Sequence, residues 1–282
     1  MKIIAVTGSS GFIGKHLVNT LKNNNVNVIE LDIDKGFNLL KEENLQHVPK
    51  FDVIVHLAAK SFVPLSIKNP GEFYYHNFTL TLNVLELARK NNAKVILFSS
   101  YLYGKPDYLP IDEKHPLKPH NPYGHSKLIS EKLCEGYNKD FNVPIIIFRP
   151  FNVFGPGQNK DFLVPSIIEQ LKTGEITLKD PRPKRDFIYV DDVVKAILLA
   201  IAYEKSNYEI FNLGYGKSNS VVDVVNMICE LSVIKPRISF TNEIRQGEVL
   251  DTVADTSKIY SMLKWKPEID LQKGIKMILK HS

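Results

Sequence analysis

Two side chains able to move a proton, Tyr123 and Lys127, stand four residues apart in Tyr123-Gly124-His125-Ser126-Lys127. On a helix, residues at that spacing share a face. An ammonium group beside a phenol favours phenolate and so lowers the phenol's pKa. A phenol brought toward neutrality can take a proton from a sugar hydroxyl or return one to a carbonyl oxygen. The same spacing also arises on solvated helix surfaces, so the pair gains chemical meaning only beside a dinucleotide site.

Such a site is spelled out earlier in the chain. Ile3-Ile4-Ala5-Val6 is a short apolar run of the kind that forms a strand buried on both faces. It leads into Thr7-Gly8-Ser9-Ser10-Gly11-Phe12-Ile13-Gly14, followed by a helical pattern at Leu17, Val18 and Leu21. Glycines in that order let the backbone approach a pyrophosphate, and the helix N-terminus offers free N–H groups and the positive end of its dipole. Gly8, Ser10, Gly11, Phe12, Ile13 and Gly14 are therefore the expected cofactor contacts; the competing reading is a tight turn with no ligand. Asp32 ends the next strand and is expected to accept hydrogen bonds from the adenosine ribose. It would repel a 2′-phosphate, which favours NAD over NADP. Its alternative role is a turn cap, since Asp34 follows closely. Leu57, Ala58 and Ala59 close the apolar run from Asp52 and would let the cofactor lie against the strand end, while His56 reads as a structural histidine.

The elements that must hold these groups alternate. Strands are expected at 26–31, 52–59, 95–98 and 145–149, with helices at 73–91 and from Tyr123 onward; Pro106 to Pro122 carries five prolines and reads as a loop. This alternation implies an α/β fold, a doubly wound parallel sheet (Rossmann) over residues 1–157. Past Gly157 the elements shorten and helices dominate, which implies a smaller C-terminal substrate-binding lobe over 158–282, with a strand near 208–213 returning to the main sheet. A ligand is expected at the strand C-termini, between the lobes.

Bulk composition narrows the function classes. A chain of 282 residues with 44% hydrophobic and 24% charged residues has the make-up of a globular protein. The net charge of +5 is spread without a basic block, so no nucleic-acid partner is expected. No stretch reads as a signal peptide or a membrane span, and Cys134 and Cys229 lack a CxxC pattern. A cytoplasmic location, free thiols and no metal are the corresponding expectations.

Taken in order, these motifs resemble the extended short-chain dehydrogenase/reductase family, in particular its nucleotide-sugar epimerases, dehydratases and 4-keto reductases. The resemblance covers essentially the whole chain: TGSSGFIG (7–14), Asp32, DVIVHLAA (52–59), FSSYLYG (98–104), YGHSK (123–127), RPFNVFGPG (149–157), RDFIYVDDV (185–193), FNLG (211–214), RQGE (245–248) and LKWKP (263–267). It implies Tyr123 as the proton-transferring group at O4 of a sugar, with Lys127 lowering its pKa and bonding the nicotinamide ribose. Ser99 matches the family hydroxyl by counting back from Tyr103-Gly104, and Ser100 is the alternative. For the substrate, a nucleotide-diphosphate sugar and most naturally a UDP sugar, it implies Asn152 at the sugar or phosphate. Phe162, Leu163 and Val164 would flank the base, Arg185 and Arg245 would hold the diphosphate, and Glu248 the nucleotide ribose. Trp265 and Pro267 read as packing residues.

Family dehydratases carry an acid pair directly after the Ser/Thr; here those positions are Ser100 and Tyr101, which weighs against 4,6-dehydration. A 4-epimerase with tightly held NAD and an NAD(P)H-dependent 4-keto reductase of a 6-deoxy nucleotide sugar share the remaining apparatus, and Asp32 favours the epimerase. A catalytically silent NAD-binding protein is the reading from another class, opposed by the intact Ser99, Tyr123 and Lys127. The resemblance also implies a homodimer paired through the 73–91 and 123–141 helices.

Overall fold

The computed structural model describes residues 2–244 and 247–280, and the chain divides into two compact units. The first holds Met1–Gly104, Pro116–Pro150 and Val194–Phe211. Its elements open with β1 (Ile3–Thr7), α1 (Phe12–Asn23), β2 (Asn27–Leu31), the single turn α2 (Glu42–Leu45) and β3 (Val53–His56). They continue with α3 (Val63–Lys68), α4 (Pro70–Asn91), β4 (Lys94–Phe98), α5 (Pro122–Phe141) and β5 (Ile145–Pro150). Further along the chain come β6 (Asn152–Phe154), α6 (Leu163–Leu171), β7 (Glu175–Leu178), β8 (Lys184–Tyr189), α7 (Val190–Ala202) and β9 (Tyr208–Leu213). The remainder comprises β10 (Ser218–Ser220), α8 (Val221–Leu231), β11 (Arg237–Phe240), α9 (Ser257–Leu263) and α10 (Leu271–Leu279).

The main sheet runs β2-β1-β3-β4-β5-β9. Pairing is parallel from β2 through β5, in a register that sets Thr7 opposite both Leu31 and His56. The strand order reverses at β1, so the connections leaving β1 and β3 turn to opposite faces of the sheet and leave a crevice at the strand C-termini. Ile4, Ala5, Val6, Ile54, Val55, Ile96 and Leu97 are sealed from solvent, because helices cover both faces of a parallel sheet. A core of Val84, Leu85 and Ala88 from α4, Val95 and Leu97 from β4, and Ile145 and Ile147 from β5 fills one side.

Local chemistry sets the helix bounds. Pro70 occupies the first turn of α4, where its missing N–H costs nothing, so the helix begins three residues before the expected Phe73. Asn121 caps α5 by accepting from the Gly124 N–H at 2.8 Å, and Pro122 follows at the first helical position. Both helices end on an asparagine in the left-handed region, Asn92 and Asn142. A buried ion pair ties α5 to the end of β5: Arg149 donates to both oxygens of Glu131 at 3.0 and 2.6 Å and to the Tyr103 hydroxyl at 3.1 Å. Both partners are almost fully enclosed.

The second unit holds Lys105–His115, Phe151–Val193 and Asn212–Ser282. Where the sequence suggested chiefly helices, it contains two small sheets, β10-β8-β6 and β11-β7. The pairing of β6 with β8 puts Phe151 already in this unit, ahead of the expected start at Gln158. Buried carboxylates organise it. Asp186 on β8 accepts from the N–H groups of Tyr215, Gly216 and Ala254 at 2.6 to 3.0 Å. Asp192 accepts from Glu268 and Ile269, while its carbonyl takes the Trp265 indole N–H at 2.9 Å. Trp265 is thus a packing residue. Helix α10 approaches so closely that a Cβ on Gly274 would lie 2.5 Å from the Phe154 ring.

Among the described residues no helix is long and apolar enough to cross a membrane. Both cysteines are free, Cys134 buried and Cys229 half-buried.

Candidate active site

The glycine turn lies at the C-terminal end of β1. Gly8 donates to the Leu31 carbonyl and accepts from Gly11, both at 3.0 Å. Its φ of +66° suits glycine, and an added Cβ would come within 2.8 Å of the Ala58 nitrogen. A Cβ on Gly14 would lie 2.1 Å from the Gly8 oxygen, so that position fixes how tightly α1 packs on the turn. Helix α1 starts on Gly11, with no side-chain cap and no acid in its first turn. The N–H groups around Phe12 and Ile13 are therefore left to an outside acceptor, and a phosphate is the acceptor such an end favours. Ser10 donates its N–H to one Asp32 oxygen at 2.9 Å, and Asp34 donates to the other at 3.0 Å. The turn-capping role is thus realised, and each oxygen keeps a lone pair for a ribose hydroxyl. Leu57, Ala58 and Ala59 follow β3 half-buried, and Ala58 donates to the Thr7 hydroxyl at 3.1 Å. A cap-free helix, a cradle closed to any Cβ and an acid at the second strand fit a dinucleotide.

The residues expected to transfer the proton lie on α5 and just past the end of β4. Tyr123 is half-buried in the first turn of α5, and Lys127, one turn on, is only 3% exposed. The Ser100 hydroxyl hydrogen-bonds the Tyr123 phenol. Ser99, 4% exposed, has a hydroxyl without a partner among the described residues. Of the two serines, Ser100 is the one whose side chain acts on the phenol's pKa. Burial raises the phenol's pKa, and the Ser100 hydrogen bond pulls the other way. The net shift is upward, against the expected lowering, because burial disfavours the phenolate. Burial also drives Lys127 down to about 8, against the opposing influence of Cys134 and Glu131.

Sequence reasoning passed over the polar side chains sealed between α4 and α5. Asn77, Thr81, Ser126 and Ser130 are all at most 1% exposed. Their signal was available: Asn77 and Thr81, and Ser126 and Ser130, each stand four apart on helix faces that otherwise carry core residues.

The expected substrate contacts belong to the second unit. Asn152 is exposed on β6, and Phe162, 41% exposed, immediately precedes α6. Leu163 is half-buried, but Val164 is turned into the core with Ile167, Ile168 and Leu171, so its side chain packs rather than flanking a base. Arg185 and Glu248, expected to serve diphosphate and ribose, form an ion pair with each other, and Arg185 also donates to the Val249 carbonyl at 2.6 Å. Arg245 lies outside the described residues.

Residues 4–214 match the model of the NAD dependent epimerase/dehydratase family. A putative UDP-glucose 4-epimerase of Methanocaldococcus jannaschii is 36% identical, over 98% of this chain and 97% of that protein. A GDP-6-deoxy-D-mannose reductase of Pseudomonas aeruginosa is 27% identical over 97% of this chain and 95% of its own length. Among solved structures, a UDP-glucuronic acid 4-epimerase from Bacillus cereus, in complex with UDP-glucuronic acid and NAD, superposes with a TM-score of 0.89 at 28% identity, covering 99% of both chains. With the glycine cradle and the tyrosine–lysine helix, these likenesses make the chain an enzyme of the short-chain dehydrogenase type that uses NAD, a member of the NAD-dependent epimerase/dehydratase family and of its nucleotide-sugar group.

Proposed function

We propose that this enzyme interconverts the C4 epimers of a UDP-hexose through a transient 4-keto sugar. The observation that carries the reading is the placement of Tyr123 in the first turn of α5 with Lys127 buried one turn away on the same helix. NAD, held by the glycine turn and Asp32, supplies the oxidation at C4 and the reduction that follows. Tyr123 accepts the O4 proton as the carbonyl forms and gives it back as the hydroxyl is restored. Ser100 stabilises the phenolate and shares the sugar oxygen, the role that counting from Tyr103-Gly104 assigned to Ser99. Lys127 adds positive charge next to the reacting oxygen and bonds the nicotinamide ribose. Arg185 and Arg245 suit a diphosphate because a guanidinium fork matches phosphate oxygens in pairs. Asn152, Phe162, Leu163 and Glu248 complete the proposed contacts to the nucleotide sugar.

A 4-keto reductase of a 6-deoxy nucleotide sugar is the second reading, supported by the likeness to the Pseudomonas reductase. The deciding experiment mixes purified protein with UDP-glucose, UDP-galactose and their N-acetyl forms, with no cofactor added, and follows the sugar signals by NMR. Appearance of the C4 epimer is the expected result. No epimer, together with one NADH or NADPH consumed per 4-keto-6-deoxy sugar, would establish the reductase instead.

We also propose a homodimer paired through α4 and α5. Tyr75 and Phe78 on α4, and Ile129 and Phe141 on α5, expose large apolar surfaces that pairing would cover.

A further inference from the structure

His56 ends β3 at 1% exposure, enclosed by hydroxyls instead of the carboxylates that usually accompany a buried histidine with a chemical task. Its Nδ1 lies 2.8 Å from the Thr7 hydroxyl and its Nε2 lies 3.4 Å from the Thr81 hydroxyl. The directions of these bonds follow from the groups at either end. Thr81 donates its hydrogen to the Asn77 carbonyl at 2.7 Å, so its oxygen can only accept, and Nε2 carries the proton. Bare Nδ1 then accepts from Thr7, whose oxygen in turn accepts from the Ala58 N–H at 3.1 Å. One consistent series results, from Ala58 through Thr7, His56 and Thr81 to the Asn77 carbonyl. Burial, and secondarily the charge of Lys127, lowers the imidazole to about 3, so the neutral ring persists at any pH the enzyme meets.

Both ends of this series touch groups already assigned to the reaction. Thr7 opens the glycine turn, and Ala58 belongs to the segment expected to lie against the cofactor. At the far end, the Asn77 amide donates to the Ser126 hydroxyl at 2.8 Å, and Ser126 donates to the Tyr123 carbonyl at 2.7 Å. Thr81 also meets Ser130 of α5 at 2.9 Å. Hydrogen bonds, buried in the middle and half-buried at the ends, therefore join the dinucleotide cradle through Asn77 to the backbone of the tyrosine.

We propose that His56 is a positioning residue: as a neutral imidazole protonated on Nε2, it holds the dinucleotide cradle and the Tyr123–Lys127 helix in one fixed register. The proposal rests on the NAD-dependent reading of this site but not on the identity of the sugar. Because a buried network fixes geometry only when every member is satisfied, loss of any link loosens both ends. Thr81, remote from the cradle and joined to it through His56, thereby influences NAD binding.

Two measurements test this. In protein labelled with 15N-histidine, the His56 ring is expected to give the signature of the Nε2–H tautomer, unchanged from pH 8 to pH 5. A ring that titrates in that range, or that carries its proton on Nδ1, overturns the proposal whether or not any variant folds. Calorimetry with NAD is expected to show binding weakened about tenfold in Thr81→Val and at least as much in His56→Phe, the scale of one lost buried hydrogen bond. The KM for the nucleotide sugar is expected to stay within twofold in Thr81→Val while kcat falls. Parental NAD affinity and kcat in both variants would reduce His56 to core packing and overturn the proposal. Neither the tautomer nor the NAD affinity requires turnover, so a wrong sugar assignment leaves this test intact. Failure of the unaltered protein to bind NAD would instead remove the functional reading.

Discussion

Ser99 and Ser100 differ by one position, and that position decides which hydroxyl meets the phenol. At a strand end successive side chains face opposite ways, so one serine turns to Tyr123 while its neighbour turns inward. Counting along the sequence from Tyr103-Gly104 cannot resolve a half-turn of the backbone, whereas the influence of Ser100 on the Tyr123 phenol favours Ser100. Ser100→Ala is therefore expected to lower kcat/KM at least tenfold, and Ser99→Ala to change it less than threefold. Tyr123→Phe should cost about 10³ in kcat, in the range lost with a general acid–base group. Steady-state rates on whichever nucleotide sugar the enzyme turns over provide the check, and a reversed order of the serines would return the role to Ser99. The sequence also displays Lys127 beside Tyr123 but not their burial. Charge proximity was legible, whereas the desolvation that raises the phenol and lowers the lysine emerges only once α5 is packed.

At the scale of elements, legibility tracked the length and burial of each segment. The inner strands of the main sheet are largely apolar runs because both faces are covered, and α4 and α5 carry proline and asparagine at their ends. The small strands of the second unit lack such a signal. β10 is Ser-Asn-Ser and β11 is mostly exposed, so pairing partners distant in sequence define them, not composition. Asp186, which ties β8 to two loops, belongs to this hidden layer. Burial pushes its carboxyl up to about 6 against the pull of three backbone N–H groups. Between about pH 4 and pH 6 the folded chain thus retains a proton that the unfolded chain releases, and this group's contribution to stability falls as pH rises. An amide cannot accept all three N–H bonds, so Asp186→Asn is expected to be less stable by about 2 kcal/mol at pH 4. The gap between parent and variant should narrow by pH 7. Urea unfolding of both at the two pH values would show it, and a gap that widens with pH would contradict the assignment.

For the whole molecule, the proposed dimer is the feature with the most direct readout. Exposed Tyr75, Phe78, Ile129 and Phe141 lie on the two longest helices, and a charge at Phe78 would have to be desolvated if these faces met. Sedimentation at micromolar concentration is expected to give a dimer for the parent and a monomer for Phe78→Asp. A monomeric parent would leave these residues as ordinary surface. The alternation of strands and helices and the order of the motifs made the architecture and the family legible from sequence. The sugar was not legible, because the residues proposed to hold it are exposed or paired with one another, as Arg185 is with Glu248.

The ion pair between Glu131 and Arg149 has an evolutionary consequence. Removing either partner strands the other charge in a nearly dry interior, at about 3–5 kcal/mol, whereas exchanging both for apolar groups of similar size is close to neutral. Descendants that change one codon at a time must therefore cross a fitness valley comparable in depth to the margin by which a domain stays folded. Glu131→Leu and Arg149→Met are expected to be damaging singly, with much of the loss recovered in Glu131→Leu/Arg149→Met, as a double-mutant cycle in urea would register. Such a pair persists through lack of an exit, and its presence in a lineage records ancestry as much as usefulness.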